Sequence, residues 1–310
     1  MDGRHARGLR NDGQRQLSDG FLGGEEGAAR DLSELTTLRL CVEYDGSDFC
    51  GFQWQPAVRT VGGVLERALS RLFDEPVKVT AAGRTDSGVH ATGQVVSVTT
   101  RARFAFDRLT VALNAVLPAD CSIREAAIVE AGFSARFAAL ERTYVYAILN
   151  RLERDALLAR YAWHLSRALD LRAMEAAAAA FIGEHDFRSF CGTLPVGPGG
   201  EPSSTVRTIS RLSVSASGPM VRVEVAANGF LHRMVRSLVG TLAECGMGKR
   251  EAGQMEAILA AAERSEAGVA APASGLYLAG VRYPGGYDSF AEPPVLGGRP
   301  GPLDGPRPFP

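Results

Sequence analysis

An α+β fold built from two similar halves, each with a mostly antiparallel sheet, is what this sequence of 310 residues predicts. Three observations lead there. Between residues 38 and 129, alternating apolar runs and helical stripes follow the order β-α-β-β-α-β, that of a ferredoxin-like split unit. A second series, β-α-β-β-α-α-β, runs from about 142 to 281, with one helix more and no repeat of the sequence itself. Between them lies Phe133-Ser134-Ala135-Arg136-Phe137, which has no clean period and marks a domain junction. The predicted organisation is a disordered tail over 1–36, an N-terminal α+β domain over 37–138, a C-terminal α+β domain over 139–288 and a Pro/Gly-rich tail over 289–310.

The elements follow from local chemistry. Leu38, Leu40, Val42 and Tyr44 alternate with polar or small residues, as a strand does, and Asp45-Gly46-Ser47 ends it with turn residues. Thr60 is placed to cap a helix whose stripe is Val61, Val64, Leu65, Ala68, Leu69 and Leu72. Short strands are expected over 77–81 and 94–99. Asp107 is the expected cap of a second helix, stopped by Pro118, and 122–129 closes the first half. In the second half, Arg142 to Leu149 is a strand whose period puts Tyr144 and Tyr146 on one face. Asp170 caps an alanine-rich helix. Strands over 206–217 and 221–226 pair across Ser217-Gly218-Pro219. A helix opens at Phe230 with Leu231, Met234, Val235, Leu238, Val239 and Leu242 buried. Another contains Met255, Ile258 and Leu259, and Gly275 to Val281 is the last strand.

Composition narrows the function. Hydrophobic residues make up 45% of the chain and charged ones 22%, the proportions of an ordinary soluble protein. No apolar run reaches membrane-spanning length, and the start of the chain lacks the apolar core of a signal peptide, so a cytoplasmic protein is expected. The five cysteines form no C-x-x-C pair, which argues against structural zinc and a disulfide framework. Net charge is −1, so an RNA-binding surface has to be a local basic patch. No P-loop, dinucleotide fingerprint or clustered metal ligands are present, and no cofactor is expected.

The chemistry-bearing stretch is Ala81-Ala82-Gly83-Arg84-Thr85-Asp86-Ser87-Gly88-Val89-His90-Ala91. A glycine-punctuated loop between two strands is a rigid mount for a side chain. The side chain mounted is Asp86, which by itself could be a general base, a nucleophile, a metal ligand or a turn former. Asp-Ser-Gly also resembles half of an aspartic protease site. That chemistry needs a second such carboxylate, and the sequence has no second Asp-Thr/Ser-Gly.

The whole string Arg84 to Ala91 resembles the signature loop of the TruA family of pseudouridine synthases. Further motifs of that family stand in its order: Gly51-Phe52-Gln53-Trp54-Gln55, Arg142-Thr143-Tyr144-Val145-Tyr146, Phe187-Arg188-Ser189-Phe190 and Met234-Val235-Arg236. The resemblance spans about Leu38 to Tyr287. It departs at Ala271-Pro272-Ala273-Ser274-Gly275-Leu276, where the family has Ala-Pro-Pro-x-Gly-Leu.

The resemblance implies a pseudouridine synthase fold with the active-site cleft between its two domains. It implies isomerisation of uridine to pseudouridine at positions 38, 39 and 40 of the tRNA anticodon stem-loop, without a cofactor, by a homodimer. Asp86 would be the catalytic carboxylate, acting at C6 or at C1′. Arg236 would pair with it, Tyr144 would stack on the target base, and Arg84 would contact the RNA backbone or fill the vacated stack. Arg233 and Arg136 are weaker candidates for phosphate contacts, and His90 is read as structural. The rival reading is a non-catalytic tRNA-binding protein on the same fold.

Overall fold

The computed structural model describes residues 35–297, apart from 198 and 202. The predicted tail over 1–36 thus lies outside the described residues up to 34, and so does the other tail from 298. The first half comprises β1 (Thr36–Tyr44), α1 (Val61–Phe73), β2 (Thr80–Ala81), β3 (His90–Thr100), α2 (Leu109–Val116) and β4 (Cys121–Val129). The second comprises β5 (Glu141–Asn150), β6 (Trp163–Leu165), α3 (Leu171–Ala179), β7 (Gly183–Asp186), β8 (Val206–Ser217) and β9 (Met220–Ala227). It continues through α4 (Met234–Gly246), α5 (Met255–Ala261), β10 (Leu276–Arg282) and β11 (Ser289–Phe290).

The strands are mostly antiparallel, as expected, but they form one sheet and not two. Its order is β4-β1-β3-β10-β5-β9-β8-β7, with β2 on β3, β6 on β5 and β11 on β10. The reason is β10. After the last helix it returns to pair antiparallel with β5 and parallel with β3, through Tyr277 opposite His90 and Leu278 opposite Ala91. β10 thereby closes the gap between the halves.

Several boundaries differ from the sequence reading, each for a local reason. Residues 77–79 are not strand, because side chains of α1 take their backbone donors: Val77 N–H donates to Ser70 Oγ and Val79 N–H to Glu66 Oε1. Asp107 is not a cap. It lies exposed inside a 3₁₀ turn, Phe106–Arg108, that leads into the buried Leu109. The helix expected from Phe230 begins at Met234, since the carbonyl of His232 accepts from Gly192 N–H at 2.8 Å. Arg233 there is left-handed, with φ 59° and ψ 8°. Chain order also continues past 288: Ser289 Oγ donates to Gly93 O, and β11 pairs with β10. The caps at Thr60 and Asp170 stand as read, with Gly63 N–H donating to the first and Arg172 and Ala173 N–H to the second.

Two core faces result. Tyr144, Tyr146 and Ile148 of β5 belong to the main core, while Ala147 and Leu149 join a smaller cluster with Ala162 and Tyr277. That alternation is the two-residue period of a strand. Tyr144 and Tyr146 share a face as expected, but only Tyr144 reaches the cleft described next.

Candidate active site

The loop carrying Asp86 is braced from behind. Gln94 on β3 donates to the carbonyl of Gly83 at 2.7 Å. Thr85 is hydrogen-bonded through its hydroxyl to Tyr44 at 2.8 Å, and its carbonyl accepts from Phe52 N–H at 3.0 Å. Ser87 Oγ donates to Phe49 O, and Val89 N–H closes a turn onto Asp86 O. Gly51 has to be glycine: its φ is 83°, and a Cβ there would lie 2.9 Å from Thr85 O. The segment Gly51-Phe52 is therefore the back wall of the Asp86 loop.

In front of this loop is a cleft of about 610 Å³. All four residues singled out from the sequence, Arg84, Asp86, Tyr144 and Arg236, line it. Arg236 Nη1 donates to Asp86 Oδ2 at 3.2 Å, and its Nε is fixed on Ala271 O at 2.7 Å. Both side chains are largely covered, so water screens the pair only in part. Tyr144 stands on the middle strands of the sheet, opposite Leu278 of β10 and Val225 of β9. Its ring meets Phe230 edge-on, with centroids 5.1 Å apart. Its hydroxyl lies 3.5 Å from where a Cβ on Gly83 would be, so the ring packs against the start of the Asp86 loop at ordinary contact distance. Burial, with Tyr44 and Asp86 adding to it, pushes the Tyr144 hydroxyl well above its usual range, and it stays neutral.

Six arginines line the cleft: Arg84, Arg136, Arg142, Arg207, Arg233 and Arg236. Asp86 is the one carboxylate among its described lining residues. The local basic patch that a chain of net charge −1 needs is therefore concentrated around a single aspartate. Arg84 is exposed, and its side chain has no hydrogen-bond or ion-pair partner among the described residues. Partial burial and the neighbouring Arg136 both lower its proton affinity.

Sequence reasoning missed two members of the site. His232 Nε2 lies 3.8 Å from Asp86 Oδ1, a second nitrogen beside the carboxylate. Its proximity depends on the left-handed turn at Arg233, which no helical stripe would reveal. Arg142 ties Ala82, Ala139, Asn228 and Arg136 together through their carbonyls. It stands two residues before Tyr144 on the same strand, and that spacing was a signal for it. His90 is structural in geometry. Gly46 N–H donates to its Nδ1 at 3.0 Å, and its ring stacks on Tyr277 at 4.8 Å. An Nδ1 that accepts is unprotonated. Burial agrees, lowering the His90 pKa although Asp45 stands 3.2 Å away.

Comparison with known proteins meets this geometry. A family model described as tRNA pseudouridine synthase matches residues 40–138 and 177–284, which include Asp86 and Arg236. The chain is 46% identical over 248 residues to tRNA pseudouridine synthase A of Moorella thermoacetica, covering 79% of this chain and 99% of that protein. It is 44% identical to the protein of the same name from Halalkalibacterium halodurans, over 77% of this chain and 89% of that one. For the Klebsiella pneumoniae protein of that name the identity is 41%, over 83% and 95%. The motifs, their order and these matches agree: the chain belongs to the tRNA pseudouridine synthase family.

Proposed function

We propose that the protein isomerises uridine to pseudouridine in tRNA, at positions 38, 39 and 40 of the anticodon stem-loop. One observation carries the reading. Among the described residues that line the arginine-walled cleft the single carboxylate is Asp86, which is bonded to Arg236 and faces the same cleft as Tyr144. In the reaction the C1′–N1 bond breaks, the uracil turns in place and a C1′–C5 bond forms. The C5 proton leaves and N1 gains one, so the atoms balance without a cofactor.

Asp86 is the nucleophile or the charge that stabilises the departing sugar. Arg236, whose Nη1 donates to Asp86 Oδ2, orients the carboxylate. Tyr144 stacks on the free uracil and keeps it in the cleft, a contact worth about 1–3 kcal/mol. The target nucleotide has to be flipped out of a helix at a cost of about a few kcal/mol. Exposed and without a side-chain partner among the described residues, Arg84 is suited to contact the backbone or to occupy the vacated stack. Three adjacent target positions are incompatible with fixed hydrogen bonds to one sequence, so recognition rests on RNA shape and phosphates.

On this reading 37–138 and 139–288 are two domains, and the cleft draws lining residues from both. The protein acts as a homodimer in the cytoplasm, with one tRNA crossing both subunits. No helix among the described residues is long and apolar enough to cross a membrane. A non-catalytic tRNA-binding protein would have no use for the braced Asp86. Release of tritium from C5-labelled uridine in tRNA tests the activity. Loss of pseudouridine confined to positions 38–40 in a strain lacking the gene tests the target.

A further inference from the structure

A second depression, of about 540 Å³, adjoins the cleft. Arg233 and Arg236 line both, so the two share a wall. The remaining lining is Arg264 with the loop of Ser265 and residues 267–270, and no Asp or Glu is among its described lining residues. Glu244 lies behind this loop, but Arg250 engages it through Nε.

The existing bonds show which donors are free. Arg264 spends Nη1 on the carbonyls of Ala267 and Gly268, at 3.2 and 3.1 Å, leaving Nε and Nη2 without partners among the described residues. Arg236 spends Nε on Ala271 and Nη1 on Asp86, leaving Nη2. The exposed Arg233 side chain has no hydrogen-bond or ion-pair partner among the described residues. Its left-handed backbone is a conformation that non-glycine residues adopt rarely, and at functional sites more than elsewhere. Three guanidinium groups around one depression repel each other unless an anion joins them, and arginine's planar fork matches phosphate oxygens.

We propose that this depression binds a backbone phosphodiester of the RNA strand, close to the nucleotide held in the catalytic cleft. Continuity favours a strand over a free anion, because a chain entering one depression passes Arg233 into the other. Arg236 then links phosphate binding to the carboxylate it holds. The inference rests on the RNA-modifying function proposed above and adds an anion site to it, with Arg233 and Arg264 as ligands.

The test uses the full chain and anticodon stem-loop RNAs that carry one neutral methylphosphonate linkage, moved stepwise across the nucleotides flanking the target. Wild-type protein should lose affinity about tenfold at one linkage, as expected for one charge-assisted contact. Arg233→Asn and Arg264→Gln should bind unmodified RNA about as weakly and be indifferent to that linkage. Each should also flatten the dependence of log affinity on log salt by about 0.7, which is about threefold between 50 and 200 mM. Asn tolerates a left-handed backbone, and Gln retains a donor for the Ala267 and Gly268 carbonyls, so misfolding does not mimic the result. Wild-type protein that makes pseudouridine yet is indifferent to every flanking linkage overturns the phosphate site alone. So do variants that stay sensitive at the same linkage. Wild-type protein that neither binds the RNA nor releases tritium overturns the proposed function, and this site with it.

Discussion

Replacing Arg142 by Met should loosen the mount of Asp86 without touching the carboxylate. The Arg142 guanidinium donates five hydrogen bonds: two to Ala82 O, both 3.1 Å, and one each to the carbonyls of Ala139 (3.0 Å), Asn228 (2.9 Å) and Arg136 (2.5 Å). It joins the start of the Asp86 loop, the junction between the halves and the end of β9. Methionine keeps the apolar stem and removes the fork. The bonds to Asn228 and Arg136 are exposed, so water replaces them. Ala82 is only 3% exposed, and its carbonyl would be left without a donor. An orphaned buried acceptor costs about 1–3 kcal/mol, and the bond to Ala139 adds about 1 kcal/mol. Burial lowers the proton affinity of Arg142, a sign that desolvation offsets part of what its bonds contribute. The expected loss is about 2–4 kcal/mol, well below the sum of five charged bonds taken separately. Urea unfolding followed by circular dichroism measures it, and single-turnover product formation should slow. Arg142→Lys should recover little, because an ammonium cannot span these carbonyls. A change under about 0.5 kcal/mol, or full rescue by lysine, would refute the argument.

The other predictions address the chemistry and the assembly. Asp86→Asn should abolish product formation in a single-turnover assay with tRNA affinity within a few-fold of wild type; substantial product would remove Asp86 from its role. Tyr144→Leu should slow catalysis strongly with an unchanged circular dichroism spectrum, and unaltered rates would move the stacking role elsewhere. His90, whose folded pKa is lowered by burial, binds fewer protons folded than unfolded. Its contribution to stability is therefore full above the unfolded value of about 6.5 and declines as pH falls below it. His90→Gln should flatten that part of a stability–pH curve. Light scattering should report a dimer at micromolar concentration, and a fully active monomer would contradict the proposed assembly.

Much of the site was legible because it is local. Arg84 and Asp86 lie on one loop and Tyr144 on one strand, so each stands in a short contiguous motif, although what each does was implied by the family resemblance of that motif. The pairing of Arg236 was likewise given by resemblance, and nothing local points to it: its partner is 150 positions away, and as a sequence feature it reads as a boundary arginine on a helix. His232 was hidden, because a helical stripe extrapolated back to Phe230 erases the left-handed turn at Arg233, beside which His232 comes to 3.8 Å from Asp86. The single sheet was hidden for a related reason. Element order predicts which strands form, but nothing in the residues 276–282 says that their two partners come from different halves. Strand signals also overreach where a side chain intervenes: Val77 and Val79 alternate as a strand should, yet Ser70 and Glu66 take their backbone donors.

The seam strand β10 has a consequence for how the protein is made. Until residue 276 has left the ribosome, β3 and β5 both present open edges at the centre of the future sheet. Bare edges recruit other chains, and pairings this distant in sequence form slowly. The nascent protein therefore spends most of its synthesis with its most adhesive surface uncovered. Two of the cleft's arginine-bearing elements, β5 and α4, are complete before then, but the strand that locks Tyr144 next to Gly83 is not. Truncated chains should accumulate as aggregates and not as weak enzymes. Selection on the last folded segment is then selection for solubility during translation as much as for catalysis.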